Sequence, residues 1–372
     1  MRDIPFLKAL RRTALFRARS ALGLAILPMK LRLAVTNRCN ARCTMCNAWK
    51  RQTDGKDELT VDEYGRIFQR NRSFFSALRH VSLTGGEPLL REDLEEIVRV
   101  IHGSNPRLTI NINTNGFRTD RLIALARSLA SANGVGRMDR AHESGIVVTY
   151  NVSLDALGEI HDRMRGVPRA SDMAKRSIQE LSRLKGAGRP LKIGVNYMVA
   201  EENHLECGSV YDFCRENGAA FNAIMPMTGE IYDNEGASFD LSPEARKRLR
   251  AEFERFLEEN PKEGLAYAEI LSQLGQEPRD FRCWAGRIIF LIEENGEVYP
   301  NGGCPKRWVL GNLRDFDYRL DRLVATDQAR QVLENARQCR ACRLACETLT
   351  TLRHPEALAA RRKIRTLPRR AG

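Results

Sequence analysis

Three cysteines in one short segment constrain this chain more than any other feature. Cys39, Cys43 and Cys46 follow an apolar run over residues 31–35 and have the spacing C-x3-C-x2-C. Cysteine thiolates hold iron–sulfur cubes, and three cysteines on a cube with four iron corners leave one iron open to another ligand. A structural zinc site is the alternative, although zinc usually takes four protein ligands. The triplet therefore predicts a metal centre on the loop after a strand.

A glycine-rich segment follows the next apolar run. Residues 81–83 lead into Gly85, Gly86, Glu87 and Pro88. Two adjacent glycines let the backbone approach another group closely, and the Glu87 carboxylate can accept a hydrogen bond from an ammonium group. On its own, this segment would indicate a turn. Downstream of a cysteine triplet, it indicates a loop that binds a ligand.

Together the two motifs resemble the radical S-adenosylmethionine (SAM) superfamily, and the resemblance extends over residues 31–226. It implies that the cysteine triplet binds a [4Fe–4S] cluster and that residues 85–88 receive the methionyl amine of SAM. Three further segments resemble the family: Thr114-Asn115-Gly116, Val152-Ser153-Leu154-Asp155 and His161-Asp162-Arg163-Met164-Arg165-Gly166. The resemblance implies that Thr114 and Ser153 face the ribose or carboxylate of SAM and that Arg165 belongs to the same cofactor site. A helix cap is the alternative for Thr114 and Ser153.

Short apolar runs alternate with longer periodic ones from residue 31, which predicts an α/β fold with repeated βα units and a parallel sheet. Candidate strands lie near 31–36, 79–84, 108–113, 146–153, 191–198 and 220–226. Candidate helices lie near 60–72, 91–102, 119–130, 170–185 and 204–216. Six such units form a partial (β/α)6 TIM-like barrel, in which ligands bind at the carboxyl ends of the strands. The motifs all follow predicted strands, as this architecture requires.

A second group of cysteines flanks and follows a predicted hairpin near the end of the chain. Residues 287–292 and 297–299 flank a turn at Glu294-Asn295-Gly296. The group resembles the auxiliary-cluster extensions of the superfamily, called SPASM or the shorter twitch form. The resemblance implies one auxiliary [4Fe–4S] cluster, with ligands in the twitch order: Cys283, Cys304, Cys339 and Cys342. Cys346 is then the spare thiol, and we consider it as a hydrogen-atom donor. It could also replace a ligand or be a buried apolar residue, and zinc is an alternative for the whole group.

These features predict five regions. They are a basic amphipathic segment 1–30, the barrel 31–228, a helical linker 229–280, a small cysteine-rich auxiliary-cluster domain 281–350 and a basic tail 351–372. Cys207 and Cys214 fall in a predicted helix, where we expect them in the core.

The net charge of +13 is concentrated at the two ends of the chain. Solvated terminal helices explain it, as does contact with an anionic membrane surface or an anionic substrate. Nucleic acid is not expected as a partner, because no aromatic residues are interleaved with the basic ones. Grouped cysteines of this kind are typical of metal sites in the reducing cytoplasm. We therefore expect a cytoplasmic protein that could associate with the inner face of the membrane.

The resemblance implies an enzyme that reductively cleaves SAM to a 5′-deoxyadenosyl radical and abstracts a substrate hydrogen. A one-electron donor such as flavodoxin or ferredoxin would supply the electron. The leading substrate is a small molecule that is oxidised or epimerised, such as a sugar, a cyclitol or a lipid-linked precursor. Maturation of a ribosomally made peptide is the alternative. A non-catalytic iron–sulfur or zinc protein that binds nucleic acid is the alternative of another class, but it leaves residues 85–88 unexplained.

Overall fold

The computed structural model describes residues 26–51, 53–131, 146–275, 283–342 and 348–350. Most of the predicted basic segment 1–30, the whole basic tail 351–372 and Cys346 lie outside the described residues. Within those residues, no helix is both long enough and apolar enough to cross a bilayer.

The described strands form one sheet. In chain order they are β1 (Lys30–Thr36), β2 (His80–Gly85), β3 (Thr109–Thr114), β4 (Val148–Ser153), β5 (Leu191–Met198), β6 (Ala220–Ile224), β7 (Ile289–Ile292), β8 (Glu297–Tyr299) and β9 (Gly311–Asn312). The strands are arranged in the order β6-β5-β4-β3-β2-β1-β7-β8-β9. All pairs from β6 to β7 are parallel, whereas β8 is antiparallel to both of its neighbours. The sheet is open, and the predicted partial barrel of six βα-type strands is confirmed.

The helices follow the strands as a barrel requires. They are α1 (Val61–Arg70), α2 (Leu94–Ser104), α3 (Thr119–Leu129), α4 (Glu159–Arg165), α5 (Ala170–Gly186), α6 (Cys207–Glu216), α7 (Pro243–Glu259), α8 (Gly264–Leu274), α9 (Leu320–Leu323) and α10 (Asp327–Gln338). Local sequence sets several of the helix starts. Thr60 and Glu63 form a capping box at α1, and the Ser242 hydroxyl accepts a hydrogen bond from the Ala245 N–H at α7.

Alternation along the strands separates an apolar face from a polar one. In β3, Ile110 and Ile112 are fully buried in the main core, whereas Asn111 and Asn113 between them are only partly buried. Successive side chains of a strand point to opposite faces. The isoleucines therefore face the helix layer, and the asparagines face the interior of the open barrel.

The segment predicted as a helical linker contains α7 and α8, which pack onto the barrel through aromatic side chains. The rings of Tyr211 in α6 and Phe256 in α7 stack with centroids 3.8 Å apart. Phe253 and Tyr267 complete this buried cluster. Burying aromatic side chains contributes a large apolar area to the core.

The predicted hairpin is present, and it extends the barrel sheet. Leu291 pairs with Tyr299 across β7 and β8, while Leu31 and Leu33 of β1 pair in parallel with Phe290 and Ile292 of β7. The turn between β7 and β8 therefore lies at the carboxyl end of the barrel strands. The residues before β7 and after β8 lie at the opposite, amino end.

The region after the hairpin docks on α1 through polar side chains. Asn71, which is buried at the end of α1, donates to the Tyr318 carbonyl at 2.6 Å and accepts from the Leu320 N–H at 2.8 Å. Arg314 forms an ion pair with Glu63 at 2.7 Å. These contacts tie the cysteine-containing C-terminal region to the first helix of the barrel.

Candidate active site

The cysteine triplet lies on the loop that follows β1, at the carboxyl end of the barrel strands. Other elements hold this loop through its backbone. The N–H groups of Arg42 and Thr44 donate to the carbonyls of Arg165 and Met164 at 2.8 and 2.9 Å. The Asn234 side chain, from the segment after β6, donates to the Met45 carbonyl at 2.8 Å. Each cysteine is therefore close to a backbone position that the fold fixes.

The three thiols are near each other and form a donor set suited to iron and sulfur. Burial, together with the nearby thiols of Cys43 and Cys46, raises the pKa of Cys39 to about 12, and burial also raises the pKa of Cys46. In the described part of the chain, no three Cys, His, Asp or Glu side chains surround one point as ligands of a single metal ion would. A cube binds each cysteine through a different iron, so it does not require three sulfurs around one point.

The two glycines bring the second loop into contact with the cysteine loop. A Cβ atom at Gly85 would lie 2.1 Å from the Thr36 carbonyl oxygen, and one at Gly86 would lie 2.1 Å from the Arg38 carbonyl oxygen. The N–H groups of Gly86 and Glu87 donate to these same carbonyls at 2.7 and 2.8 Å. Gly85 also has φ +117°, which side chains rarely adopt. The glycines are therefore needed for contact with the chain's own cysteine loop.

The Glu87 carboxylate is buried and already has three hydrogen-bond donors. It accepts from the Leu89 N–H at 3.1 Å, the Thr114 hydroxyl at 2.7 Å and the Asn115 N–H at 2.7 Å. Only 1% of the residue is exposed, and burial raises its pKa. Since a carboxylate has about four acceptor sites, one is left for a further donor. The carboxylate braces the loop, a role that the sequence did not indicate, and Pro88 begins the buried turn Pro88–Leu90 after it.

Thr114 and Ser153, which the resemblance assigned to SAM, differ in their surroundings. The Thr114 hydroxyl is buried, donates to Glu87 and accepts from the Gly116 N–H at 3.0 Å. Ser153 ends β4 and is partly exposed on the interior face of the barrel, where its hydroxyl has no hydrogen-bond partner among the described residues. Ser153 is thus the better placed of the two to contact a ligand.

Arg165 lies beside the cysteine loop in a network that includes Asp155. Two guanidinium nitrogens donate to the Asp155 carboxylate at 2.7 and 3.0 Å, and a third lies 3.8 Å from the Cys43 sulfur. Burial alone would raise the pKa of Asp155, but the Arg165 charge and the hydrogen bonds with His161 and Arg165 together lower the pKa to about 2. Asp155 belongs to one of the family-like segments, but no role was predicted for its side chain. The available signal in the sequence was an acidic residue two positions after the end of a predicted strand.

A ladder of amides crosses the interior face of the barrel, and sequence reasoning missed it. Asn113 donates to the Ser82 hydroxyl at 2.9 Å and accepts from Asn151 at 3.1 Å, and Asn222 donates to Asn196 at 3.5 Å. A Cβ atom on Gly194 of β5 would lie 2.2 Å from the Asn151 side-chain oxygen, so this glycine makes room for the ladder. Asparagines at alternate positions of β3 were the signal in the sequence.

Two described cysteines of the second group, Cys283 and Cys304, flank the hairpin at the other end of the barrel. Cys283 precedes β7 and Cys304 follows β8, so both are at the amino end of the parallel strands. Cys339 directly follows α10, and α10 packs on this region because Leu333 fills the space beside Gly286. The seven residues of β1, each rising about 3.3 Å, span roughly 20 Å from the amino end to the carboxyl end of this strand. The predicted core positions of Cys207 and Cys214 are confirmed, since both are fully buried.

Comparisons with known proteins agree with this geometry. The model of the Radical SAM superfamily matches residues 33–213. A probable GTP 3′,8-cyclase of Methanococcus maripaludis is 28% identical over 233 residues, 62% of this chain and 71% of that protein. An AdoMet-dependent heme synthase of Methanosarcina barkeri is 26% identical over 312 residues, 78% of this chain and 81% of that protein.

A solved structure has the same fold. Native anSMEcpe with bound AdoMet and Kp18Cys peptide superposes with a TM-score of 0.60 at 18% identity, over 86% of this chain and 88% of that chain. The match of the family model begins within β1 and ends within α6, so it includes both the cysteine triplet and the glycine loop. With its open parallel barrel and these two loops in contact at the carboxyl end, the chain belongs to the radical SAM superfamily.

Proposed function

We propose that this protein binds a [4Fe–4S] cluster through Cys39, Cys43 and Cys46 and reductively cleaves SAM to act on a small polar substrate. The observation that carries the proposal is the contact between the cysteine loop and residues 85–87 at the carboxyl ends of β1 and β2. When bound, the cluster would supply the electron that cleaves SAM reductively, and the resulting 5′-deoxyadenosyl radical would remove a hydrogen atom from the substrate.

The chain itself holds and orients the reactants. Gly85 and Gly86 keep the backbone of the loop 85–88 against the cysteine loop, so that the cofactor and the metal would share one edge of the sheet. Glu87 braces that loop and has one acceptor site left for the methionyl ammonium. The Ser153 hydroxyl faces the barrel interior one strand beyond Thr114, where it can bind the ribose or carboxylate of SAM. The surrounding barrel limits access of water to the radical.

The interior face of β2 to β6 favours an uncharged, hydroxyl-rich or amide-rich substrate. Its amide ladder offers both donors and acceptors, and the Asn111 side-chain oxygen is buried with no hydrogen-bond partner among the described residues. An unpaired buried acceptor costs about 1–3 kcal/mol, which a substrate hydroxyl would offset. A sugar or cyclitol fits such a surface.

A peptide substrate is the second candidate. The structure of anSMEcpe was solved with a bound peptide, and its fold matches most of this chain. The amide ladder can also bind a peptide backbone, which has one donor and one acceptor per residue. Peptides and polyols are separated by direct turnover assays with each class.

An auxiliary cluster at the amino end of the barrel completes the proposal. Cys283, Cys304, Cys339 and Cys342 would bind it, and it would take an electron from the substrate radical, which gives oxidation. The position of Cys283 and Cys304 supports this role, because the hairpin that they flank extends the barrel sheet beside β1, the strand that leads into the cysteine triplet.

The experiment uses anaerobic, reconstituted full-length protein with SAM and either dithionite or reduced flavodoxin. Formation of 5′-deoxyadenosine, measured by liquid chromatography and mass spectrometry, supports the enzyme. A protein that holds iron but forms no 5′-deoxyadenosine above a cluster-free control would instead be non-catalytic. Product analysis with deuterated sugar, cyclitol and peptide pools then identifies the substrate class, because deuterium moves into 5′-deoxyadenosine.

A further inference from the structure

Helix α4 docks its carboxyl end directly onto the cysteine loop. Its last carbonyls, of Met164 and Arg165, accept the N–H groups on either side of Cys43. Gly166 ends the helix with φ +63°, and a Cβ atom there would lie 2.4 Å from the Arg42 carbonyl oxygen. Helix ends leave carbonyls unpaired unless another group satisfies them, and here the cysteine loop does so. Arg165 is therefore held next to Cys43 by backbone contacts.

The guanidinium of Arg165 has its orientation fixed by Asp155. Two parallel N–H groups on the two carboxylate oxygens form a planar, bidentate pair. This leaves the remaining terminal nitrogen, Nη1, 3.8 Å from the Cys43 sulfur. Only 12% of the Arg165 side chain is exposed, and Asp155 is fully buried, so solvent screens the charges weakly.

Asp155 is itself held from other directions. The Met198 N–H donates to one carboxylate oxygen at 2.9 Å, and the His161 ring lies 3.2 Å from the other. Burial lowers the pKa of His161, so the ring stays neutral and Arg165 provides the counter-charge of Asp155. The whole arrangement orients one N–H of Arg165 toward one cysteine sulfur.

We propose that Arg165 acts on the cluster rather than on SAM: it donates a hydrogen bond to the Cys43 sulfur and favours the reduced cluster. Hydrogen bonds to the sulfurs and local charge set the potential of an iron–sulfur cluster. The reduced cluster carries one more negative charge, so a cation at its ligand stabilises that state more than the oxidised one. The electron comes from the external one-electron donor, and no bond or proton changes in the step.

This inference rests on the proposed function, since it requires a cluster at Cys43. The test compares reconstituted full-length wild type with Arg165→Gln, which keeps a polar side chain but removes the charge. Arg163→Gln is the matched control, because Arg163 is on the same helix and exposed. Midpoint potentials come from redox titrations followed by electron paramagnetic resonance of the reduced cluster.

We expect Arg165→Gln to make reduction about tenfold less favourable, a shift of about 59 mV to lower potential for a one-electron couple. Arg163→Gln should leave the potential at the wild-type value. An unchanged or higher potential in Arg165→Gln would overturn the inference. If wild type holds about four irons at the triplet but the potential of Arg165→Gln is unchanged, the role of Arg165 is refuted and the proposed function is not. Wild type without a SAM-cleaving cluster refutes the proposed function.

Arg165→Lys provides a second comparison if the glutamine variant does not retain its cluster. Lysine keeps the charge but has no planar fork to bond Asp155 and the sulfur together. The midpoint potential of this variant should be lower than that of wild type by less than about 59 mV, which is a less than tenfold change in the reduction equilibrium. A potential equal to or above that of wild type would contradict the role of the guanidinium contact.

Discussion

Replacing Glu87 by alanine should lower the free energy of unfolding by about 3–5 kcal/mol. The change leaves the Leu89 N–H, the Thr114 hydroxyl and the Asn115 N–H without their acceptor in a buried site. Each unpaired buried donor costs about 1–3 kcal/mol, so the sum before relaxation is about 3–9 kcal/mol. Water entry and small shifts of the loop place the expected value near the lower end.

Equilibrium urea unfolding of the cluster-free protein measures this loss. Glu87→Gln keeps one acceptor oxygen and should lose less stability than Glu87→Ala. Glu96→Ala is the matched control, because Glu96 is an exposed glutamate on α2, and its free energy of unfolding should stay within about 0.5 kcal/mol of wild type.

A different outcome would refute the bracing role. If Glu87→Ala unfolds within about 1 kcal/mol of Glu96→Ala, its three donors cost too little for a brace. If the same variant also binds SAM about tenfold more weakly, which is about 1.4 kcal/mol, Glu87 is a ligand of SAM instead. Calorimetric titration of SAM into the reconstituted variants measures that affinity.

Three further changes test other parts of the site. Asp155→Asn should destabilise the protein by about 2.4 kcal/mol at neutral pH, and the difference should disappear between about pH 5 and pH 1, since the folded pKa of Asp155, about 2, lies below the unfolded one; a pH-independent difference in unfolding free energy would contradict this. Gly86→Ala should displace the cysteine loop and lower iron retention, whereas Gly103→Ala, whose Cβ meets nothing within 4 Å, should stabilise the protein by about 0.4–1 kcal/mol; equal iron content and stability in the two variants would be the contrary result. Cys346→Ala should leave both clusters intact, and in an epimerase it should abolish only the inverted product; loss of iron would make Cys346 a ligand.

The sequence predicted best what local periodicity and spacing determine. The six barrel strands follow from short apolar runs such as residues 31–35, because strands buried under helices need apolar side chains whatever their partners are. The Ser242-Pro243 start of α7 follows from capping chemistry within one turn. The cysteine triplet could be predicted because all three cysteines are on one loop.

Contacts between distant segments could not be predicted in the same way. The pairing of β7 with β1 joins residues far apart in the chain, and an apolar hairpin gives no sign of which sheet edge it will extend. Two of the three donors to Glu87, from Thr114 and Asn115, come from the end of the next strand. Two of the three, from Leu89 and Asn115, are backbone N–H groups, which carry no residue signature. The link between Arg165 and Cys43 depends on how α4 docks, which a motif does not report.

Formation of 5′-deoxyadenosine from SAM tests the central claim most directly. The measurement compares reduced, anaerobic wild type with the triple variant of Cys39, Cys43 and Cys46 to alanine, at matched protein concentration. We expect wild type to form 5′-deoxyadenosine, and the variant to lose about four irons per chain, the content of one cube, together with all SAM cleavage. Persistent 5′-deoxyadenosine formation by the triple variant would contradict the assignment of the cluster to this loop.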